Sequence, residues 1–256
     1  MARPHNRPHG TAKVPDAEKP EYPMRINKYL AQRGYSTRKG ADELIEKQRV
    51  LINNKFAVLG DKVKEMDVVE VKLDKKASEK KLVYFAYNKP RSITTHSAAE
   101  GEKDILDTVP ALTEEFDVFP IGRLDKDSHG LIILTNDGRI TDRLLNPVKE
   151  HDKEYVVRTK SKLRDSFKEH MEKGVEIEGL ETKPTKVRIL GENTFAVTLT
   201  EGKKHQIRRM VVALFNEVVD LQRVRILNIE LKNLGDGKYR AITGEELATF
   251  LKSLGL

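Results

Sequence analysis

The sequence predicts an α+β protein: a small basic N-terminal domain, then a larger domain with a mostly antiparallel mixed sheet flanked by helices. Three observations carry this reading. Strand-like apolar segments recur between residues 82 and 231, interspersed with amphipathic stretches but without the steady β-α-β succession that a parallel sheet demands. Charge is uneven, with 14 basic and 9 acidic side chains in residues 24–80 against 29 and 28 in residues 81–256. The lysine-rich stretch from Lys75 to Lys81 lies between the two parts and has the composition of a linker.

Several function classes fall away at once. The chain of 256 residues can bury a sizeable core in one or two domains. It has no cysteine, which excludes disulfide scaffolds, thiolate metal sites and cysteine nucleophiles together. No apolar run approaches a membrane span and the N-terminus lacks a signal-like segment, so a soluble, cytoplasmic protein with no membrane partner is expected. A net charge of +7 favours a polyanionic partner. Residues 1–23 hold five of the ten prolines and show no periodicity, the composition of a disordered tail.

In the small domain, Ile26, Tyr29 and Leu30 fall at i, i+3 and i+4, with Gly34 placed to end a short helix. Ser36 or Thr37 can cap a second helix that buries Ala41, Leu44 and Ile45. A strand from Val50 to Ile52, a turn at Asn53-Asn54 and a last strand from Val68 to Leu73 follow. Arg25, Lys28, Arg38 and Lys39 cluster near the two helix starts; from charge alone, a solvated face is an equal reading. The order helix, helix, hairpin resembles the alpha-L RNA-binding domain. The resemblance rests on Arg25-Ile-Asn-Lys-Tyr-Leu30, Gly34, Thr37-Arg38-Lys39 with Ala41, and Val50 to Asn53, and it implies RNA contacts for those four basic residues. Asn54 and Met66 stand where that domain usually has glycine, and Thr37 where Ser is common.

The larger domain, residues 81–256, opens with a buried-looking strand from Leu82 to Tyr87 that ends at Asn88-Lys89-Pro90. Further strands are expected at Val118 to Ile121, Gly130 to Leu134, Tyr155 to Thr159, Thr194 to Thr200 and Val224 to Leu231. Helices are expected at Arg139 to Leu145, Leu163 to Lys173, Lys204 to Phe215 and Glu245 to Leu254, the last opened by a Thr243/Glu246 capping box.

The densest chemistry lies in residues 120–138, where Asp125 occupies a tight loop between two apolar strands. Three readings compete. A calcium loop matches Asp125, Asp127 and Gly130 but fails at His129 and at Asn136, where a bidentate Glu belongs. A structural turn would use Asp125 or Asp127 to cap backbone amides. A catalytic loop would present Asp125 to a substrate.

The third reading gains from a resemblance. Gly122-Arg-Leu-Asp125 and Gly130-Leu-Ile-Ile-Leu-Thr-Asn-Asp-Gly138 resemble the central motif of the pseudouridine synthases. Asn88-Lys-Pro90, Lys153-Glu-Tyr155 and Thr200-Glu-Gly-Lys-Lys-His-Gln-Ile-Arg-Arg-Met210 match three further motifs in order. Within the family the chain is similar to the branch acting on single ribosomal uridines; Ser92 stands where that branch often has Gly. The resemblance implies an isomerase that flips a uridine out of folded RNA and needs no cofactor and no metal. Asp125 then acts at the ribose, as nucleophile or as base, Arg208 holds its charge, and Tyr155 stacks on uracil. It gives Arg123 the gap left by the flipped base or a phosphate, and makes Lys203 and Lys204 phosphate contacts. The expected partner of this monomer is large-subunit ribosomal RNA, with transfer RNA as a second candidate. His129 and His205 lack ligand spacing and are expected to be satisfied structural histidines. A non-catalytic RNA-binding factor and a metal-dependent hydrolase using Asp125 and Asp127 are the competing functions.

Overall fold

The computed structural model describes residues 22–33, 35, 38–72, 81–96 and 101–256, without the side chains of Lys39, Asp142 and Pro147. The expected tail up to residue 21, the caps Gly34, Ser36 and Thr37, and all of the linker but Lys81 lie outside the described residues.

The small domain folds around its two helices, Ile26–Gln32 and Arg38–Glu46. Ile26, Leu30, Ala41, Ile45, Val50 and Val63 form its core, and Tyr22, assigned by sequence to the tail, packs against it. Fully burying one such Ile or Leu contributes about 1.5–3 kcal/mol. Val50–Ile52 lies between Lys55–Phe56 and Val69–Val71, both antiparallel. The hairpin turn puts Asn53 and Asn54 at φ 50° and 64°, the left-handed pair that a two-residue hairpin needs. Asparagine tolerates that region, so glycine is dispensable at 54. Strands of two residues, such as Met24–Arg25 and Lys62–Val63, are too short to show alternation in a sequence.

The large domain is built on a nine-stranded sheet. Its main path runs Lys186–Gly191, Thr194–Leu199, Lys153–Thr159, Val218–Ile226, His129–Thr135, Tyr84–Lys89, Tyr239–Ala241. Phe119–Ile121 and Ile229–Glu230 pair beside it. One strand pair is parallel, Val218–Ile226 with His129–Thr135 at the centre; the other ladders of this sheet are antiparallel. The central strand shows why the sheet is covered on both faces. Leu131 and Ile133 enter one core with Ile140, Leu144 and Phe250, while Ile132 and Leu134 enter another with Phe85, Tyr87 and Leu112. A third core gathers Val157, Phe167, Met171, Phe195, Ile207 and Met210.

Some boundaries move. The first strand is Tyr84–Lys89, two residues later than expected, because Asn88 and Lys89 are themselves buried and paired with Leu131 and Gly130. The strand expected at Val224 begins at Val218 and ends at Ile226, and Ile229–Glu230 folds back on it. The helix expected from Leu163 begins at Phe167. Helix Gly244–Ser253 starts without the expected capping box: the Thr243 side chain makes no cap bond, and Glu246 takes Arg240 instead, at 2.6 and 2.8 Å. Helix Pro110–Phe116 and strands Lys186–Gly191 and Tyr239–Ala241 were not expected; the first of these strands buries only Val187, so it carries little apolar signal.

Candidate active site

The Asp125 loop is the connection between Phe119–Ile121 and His129–Thr135, which pair antiparallel. At its end Gly130, φ +104°, lies beside Arg223 in the parallel pair. A Cβ there would stand 2.3 Å from the Arg223 carbonyl oxygen, so the close approach of the two strands requires glycine. The loop therefore ends at the parallel strand pair in the middle of the sheet.

Three cations pin it. Lys89, fully buried, donates through Nζ to the carbonyl oxygens of Pro90, Ser128 and Lys126 at 2.8, 2.7 and 3.3 Å. Burial pushes its ammonium down to about 8, although Asp125 and Asp127 pull the other way. Arg223, also buried, donates to the carbonyls of Leu131 and Arg123 at 2.7 and 3.3 Å. Arg208, on helix Gln206–Ala213, donates to Ser128 Oγ and to the Val218 carbonyl, both at 3.3 Å. Ser92, in the left-handed region at φ 64° where glycine is favoured, adds an amide bond to the Lys126 carbonyl at 2.9 Å. The Lys-Pro motif flagged Lys89 without giving it a task. Nothing in the sequence flagged Arg223, because a lone arginine in a strand carries no signal until its neighbours are known.

What the pinned loop presents is Asp125. Its turn is closed by backbone, the Ser128 amide donating to the Asp125 carbonyl at 3.0 Å, and among the described residues no amide donates to its carboxylate. The turn-capping role is therefore not how this side chain is used. The carboxylate is 40% exposed and faces a cavity of about 530 Å³ shared with Arg123, Ser128, Tyr155, Lys203, Lys204 and His205. That volume lies within the range of small-ligand sites. Tyr155, on strand Lys153–Thr159, reaches it from the junction of two cores. Among the described residues no three His, Asp or Glu side chains converge as a metal site would need.

Residues 83–213 match the family described as RNA pseudouridylate synthase, and residues 24–69 match the S4 domain. The chain belongs to the RNA pseudouridylate synthases. It is 40% identical over 235 residues to a dual-specificity RNA pseudouridine synthase RluF of Escherichia coli, spanning 91% of this chain and 80% of the relative. It is 33% identical to the ribosomal large subunit pseudouridine synthase B of Bacillus subtilis, over 87% of this chain and 93% of that one. A solved pseudouridylate synthase, 28% identical, superposes with a TM-score of 0.64 over 90% of this chain and 99% of its own. The enzyme is thus an isomerase acting on RNA.

Two expectations for the synthase's site need correcting. Arg208 does not reach the Asp125 carboxylate; its guanidinium is drawn to Ser128 Oγ and the Val218 carbonyl, because helix Gln206–Ala213 packs beside strand Val218–Ile226. His205 is no satisfied structural histidine. It is 46% exposed, with Nε2 3.7 Å from Asp125 Oδ1. His129, by contrast, is satisfied by Asp220 at 2.8 Å, and Asp220 also pairs with Arg91.

The basic residues divide. Lys28 and Arg38 line a cleft of about 970 Å³ between the small domain and the catalytic one, together with His96, Phe119, Leu145 and Arg123. Arg123 lines both this cleft and the Asp125 cavity. Arg25 is exposed but does not line the cleft, and the Lys39 side chain is outside the described residues. Lys203 is partly engaged, donating to the Glu181 carbonyl at 3.2 Å, whereas Lys204 is exposed at the cavity. Among the described residues no helix is long and apolar enough to cross a membrane.

Proposed function

We propose that this synthase isomerises one uridine of large-subunit ribosomal RNA, flipped out of its stack into the cavity beside Asp125. The single observation that carries the reading is a carboxylate with no capping duty, on a loop held by Lys89, Arg208 and Arg223, facing a nucleotide-sized cavity. A flipped base exposes its glycosidic bond, which a stacked one does not. Asp125 then either attacks C1′ or takes a proton from the sugar; the N1–C1′ bond breaks, uracil turns, and C5 joins C1′. Tyr155 stacks on uracil and Arg208 keeps the loop and its charge in place. Residues 24–80 supply affinity and 81–256 supply chemistry, in a cytoplasmic monomer.

Lys28, Arg38 and Arg123 support a path for the RNA backbone from the small domain to the cavity, with Arg25, Lys39, Lys203 and Lys204 as flanking phosphate contacts. The ribosomal target draws support from the Bacillus relative, and the dual-specificity name of the Escherichia relatives supports a second RNA, with transfer RNA as the candidate. The test is Asp125→Asn on a defined ribosomal RNA fragment. Pseudouridine formation is expected to vanish while RNA affinity persists, since affinity comes chiefly from phosphate contacts elsewhere. Normal turnover by a folded Asp125→Asn overturns the assignment, and parallel loss of binding favours a plain RNA-binding role.

A further inference from the structure

The cleft that Lys28 and Arg38 share with Arg123 is built for more than phosphate. Leu106, Val118, Phe119, Pro120 and Leu145 give it apolar walls. Phosphate oxygens gain nothing from such walls, because a charge set against apolar surface loses its hydration. Leu145 is 41% exposed and joins none of the cores, so folding alone leaves its apolar surface uncovered.

Neutral polar groups accompany these walls. Gln32, Thr141 and Asn146 line the cleft with hydrogen-bonding side chains. Asn146 Oδ1 accepts from the Val148 amide at 3.0 Å, and among the described residues its Nδ2 makes no hydrogen bond. Asp117, the acidic residue of this lining, repels a phosphate but can accept from the amino group of a base. His96 adds an imidazole held below its ordinary proton affinity, first by desolvation and then by the charge of Arg123. At neutral pH it is an uncharged ring on which a base can stack. Apolar faces, neutral hydrogen-bonding groups and flanking cations answer the three parts of a nucleotide: flat base, polar edge and phosphate.

The cleft also adjoins the site already described. Gly122, at φ +80°, passes so near that a Cβ there would stand 3.2 Å from Leu145 Cδ2. Asp125 follows three residues on, at most about 11 Å of chain. Arg123, between the two, lines both the cleft and the Asp125 cavity.

We propose that the cleft holds a second unstacked base of the substrate RNA, a few nucleotides from the target uridine, with Leu145 against its face and Asn146 at its edge. The inference rests on the target uridine entering the Asp125 cavity, as proposed above. The substrate is then an RNA in which two neighbouring bases can leave the stack, and the second base helps to select the first.

The experiment uses the full chain and a ribosomal RNA fragment in which each of the three nucleotides on either side of the target uridine is made abasic in turn. At one position, loss of the base is expected to weaken binding to the wild type roughly tenfold, as for one stacked base. The salt dependence is expected to stay unchanged, because the phosphate remains. Leu145→Trp, which fills the cleft, is expected to weaken binding of intact RNA by a similar factor and to lose nothing further on the abasic RNA. Leu145→Ala, which thins the wall without filling the cleft, is expected to lose less on intact RNA and nothing on the abasic one. Asn146→Asp keeps the oxygen that caps the Val148 amide but replaces the Nδ2 donor with an acceptor, so it is expected to change which base at that position binds best. The scan is read on the wild type and does not depend on the folding of any variant. Uniform affinity across the abasic series overturns the proposal and leaves the cleft to phosphates alone. So do losses from the abasic position and from the two Leu145 variants that multiply, and an unchanged base preference in Asn146→Asp removes its place at the base edge. Failure of the Asp125 assignment is separately visible as turnover by Asp125→Asn.

Discussion

Arg208 is coupled to Asp125 through Ser128. Its Nη2 donates to Ser128 Oγ at 3.3 Å, and the Ser128 amide donates to the Asp125 carbonyl at 3.0 Å. The arginine thus sets the shape of the loop rather than forming an ion pair with the carboxylate. Ser128→Ala is expected to lower kcat with little change in RNA affinity, and to cost about 1 kcal/mol of stability for the lost bond. Arg208→Met is expected to lose more activity, since the Val218 carbonyl loses its donor as well, and Arg208→Lys to recover part of it. Single-turnover rates of Ser128→Ala, Arg208→Met and the double variant check this: losses that simply add sink the coupling.

Gly130→Ala is expected to destabilise the fold by roughly 3 kcal/mol or more, through φ +104° and a Cβ 2.3 Å from the Arg223 carbonyl oxygen. The parallel strand pair must then part at the foot of the Asp125 loop. Urea unfolding and turnover are the measurements. A wild-type midpoint would show that the two strands can separate at little cost.

Lys89 gives the stability a pH dependence of definite sign. Its ammonium is held at about 8 in the fold, below its ordinary value of 10.5 in an unfolded chain. Below about pH 8 both states are protonated, and the fold bears the cost of the buried charge. Between about 8 and 10.5 the unfolded chain binds the additional proton, so stability from this group rises with pH, by at most about 1.4 kcal/mol per unit. The wild type is therefore expected to gain stability relative to Lys89→Met from pH 7.5 to 9.5 in urea titrations. Parallel curves for the two proteins would rule this out.

The cleft lined by Lys28, Arg38 and Arg123 predicts a salt signature. Lys28→Glu and Arg38→Glu are each expected to weaken RNA binding and to flatten its salt dependence, by about one unit of slope for every phosphate no longer neutralised. Turnover at saturating RNA is expected to be retained. Leu145→Trp, which fills the cleft without changing charge, is expected to weaken binding while leaving the slope unchanged. Affinity independent of all three substitutions would exclude the cleft from the RNA path.

The two-domain α+β organisation, the helix Arg139–Leu145 and the position of Asp125 in a tight loop were legible in the chain itself. Each depends on short-range signals: apolar period, turn residues, and motifs whose members lie close in sequence. The paired asparagines at 53 and 54 were legible as a turn for the same reason.

Meetings between distant segments were decided only in three dimensions. That Arg208 grips Ser128, that Lys89 is sealed under the loop, and that Arg223 crosses to the Arg123 carbonyl depend on which strands become neighbours. In the sequence Arg208 is assigned the wrong partner, because a motif names a residue but not the direction of its side chain. His205 reads as structural there, because a lone histidine carries no signal of what it faces. By itself the sequence determined what chemistry the chain could hold and where its rigid elements lie. The sheet order decided which groups meet, because pairing Val218–Ile226 in parallel with His129–Thr135 brings segments nearly a hundred residues apart to one loop, through backbone hydrogen bonds that no local pattern encodes.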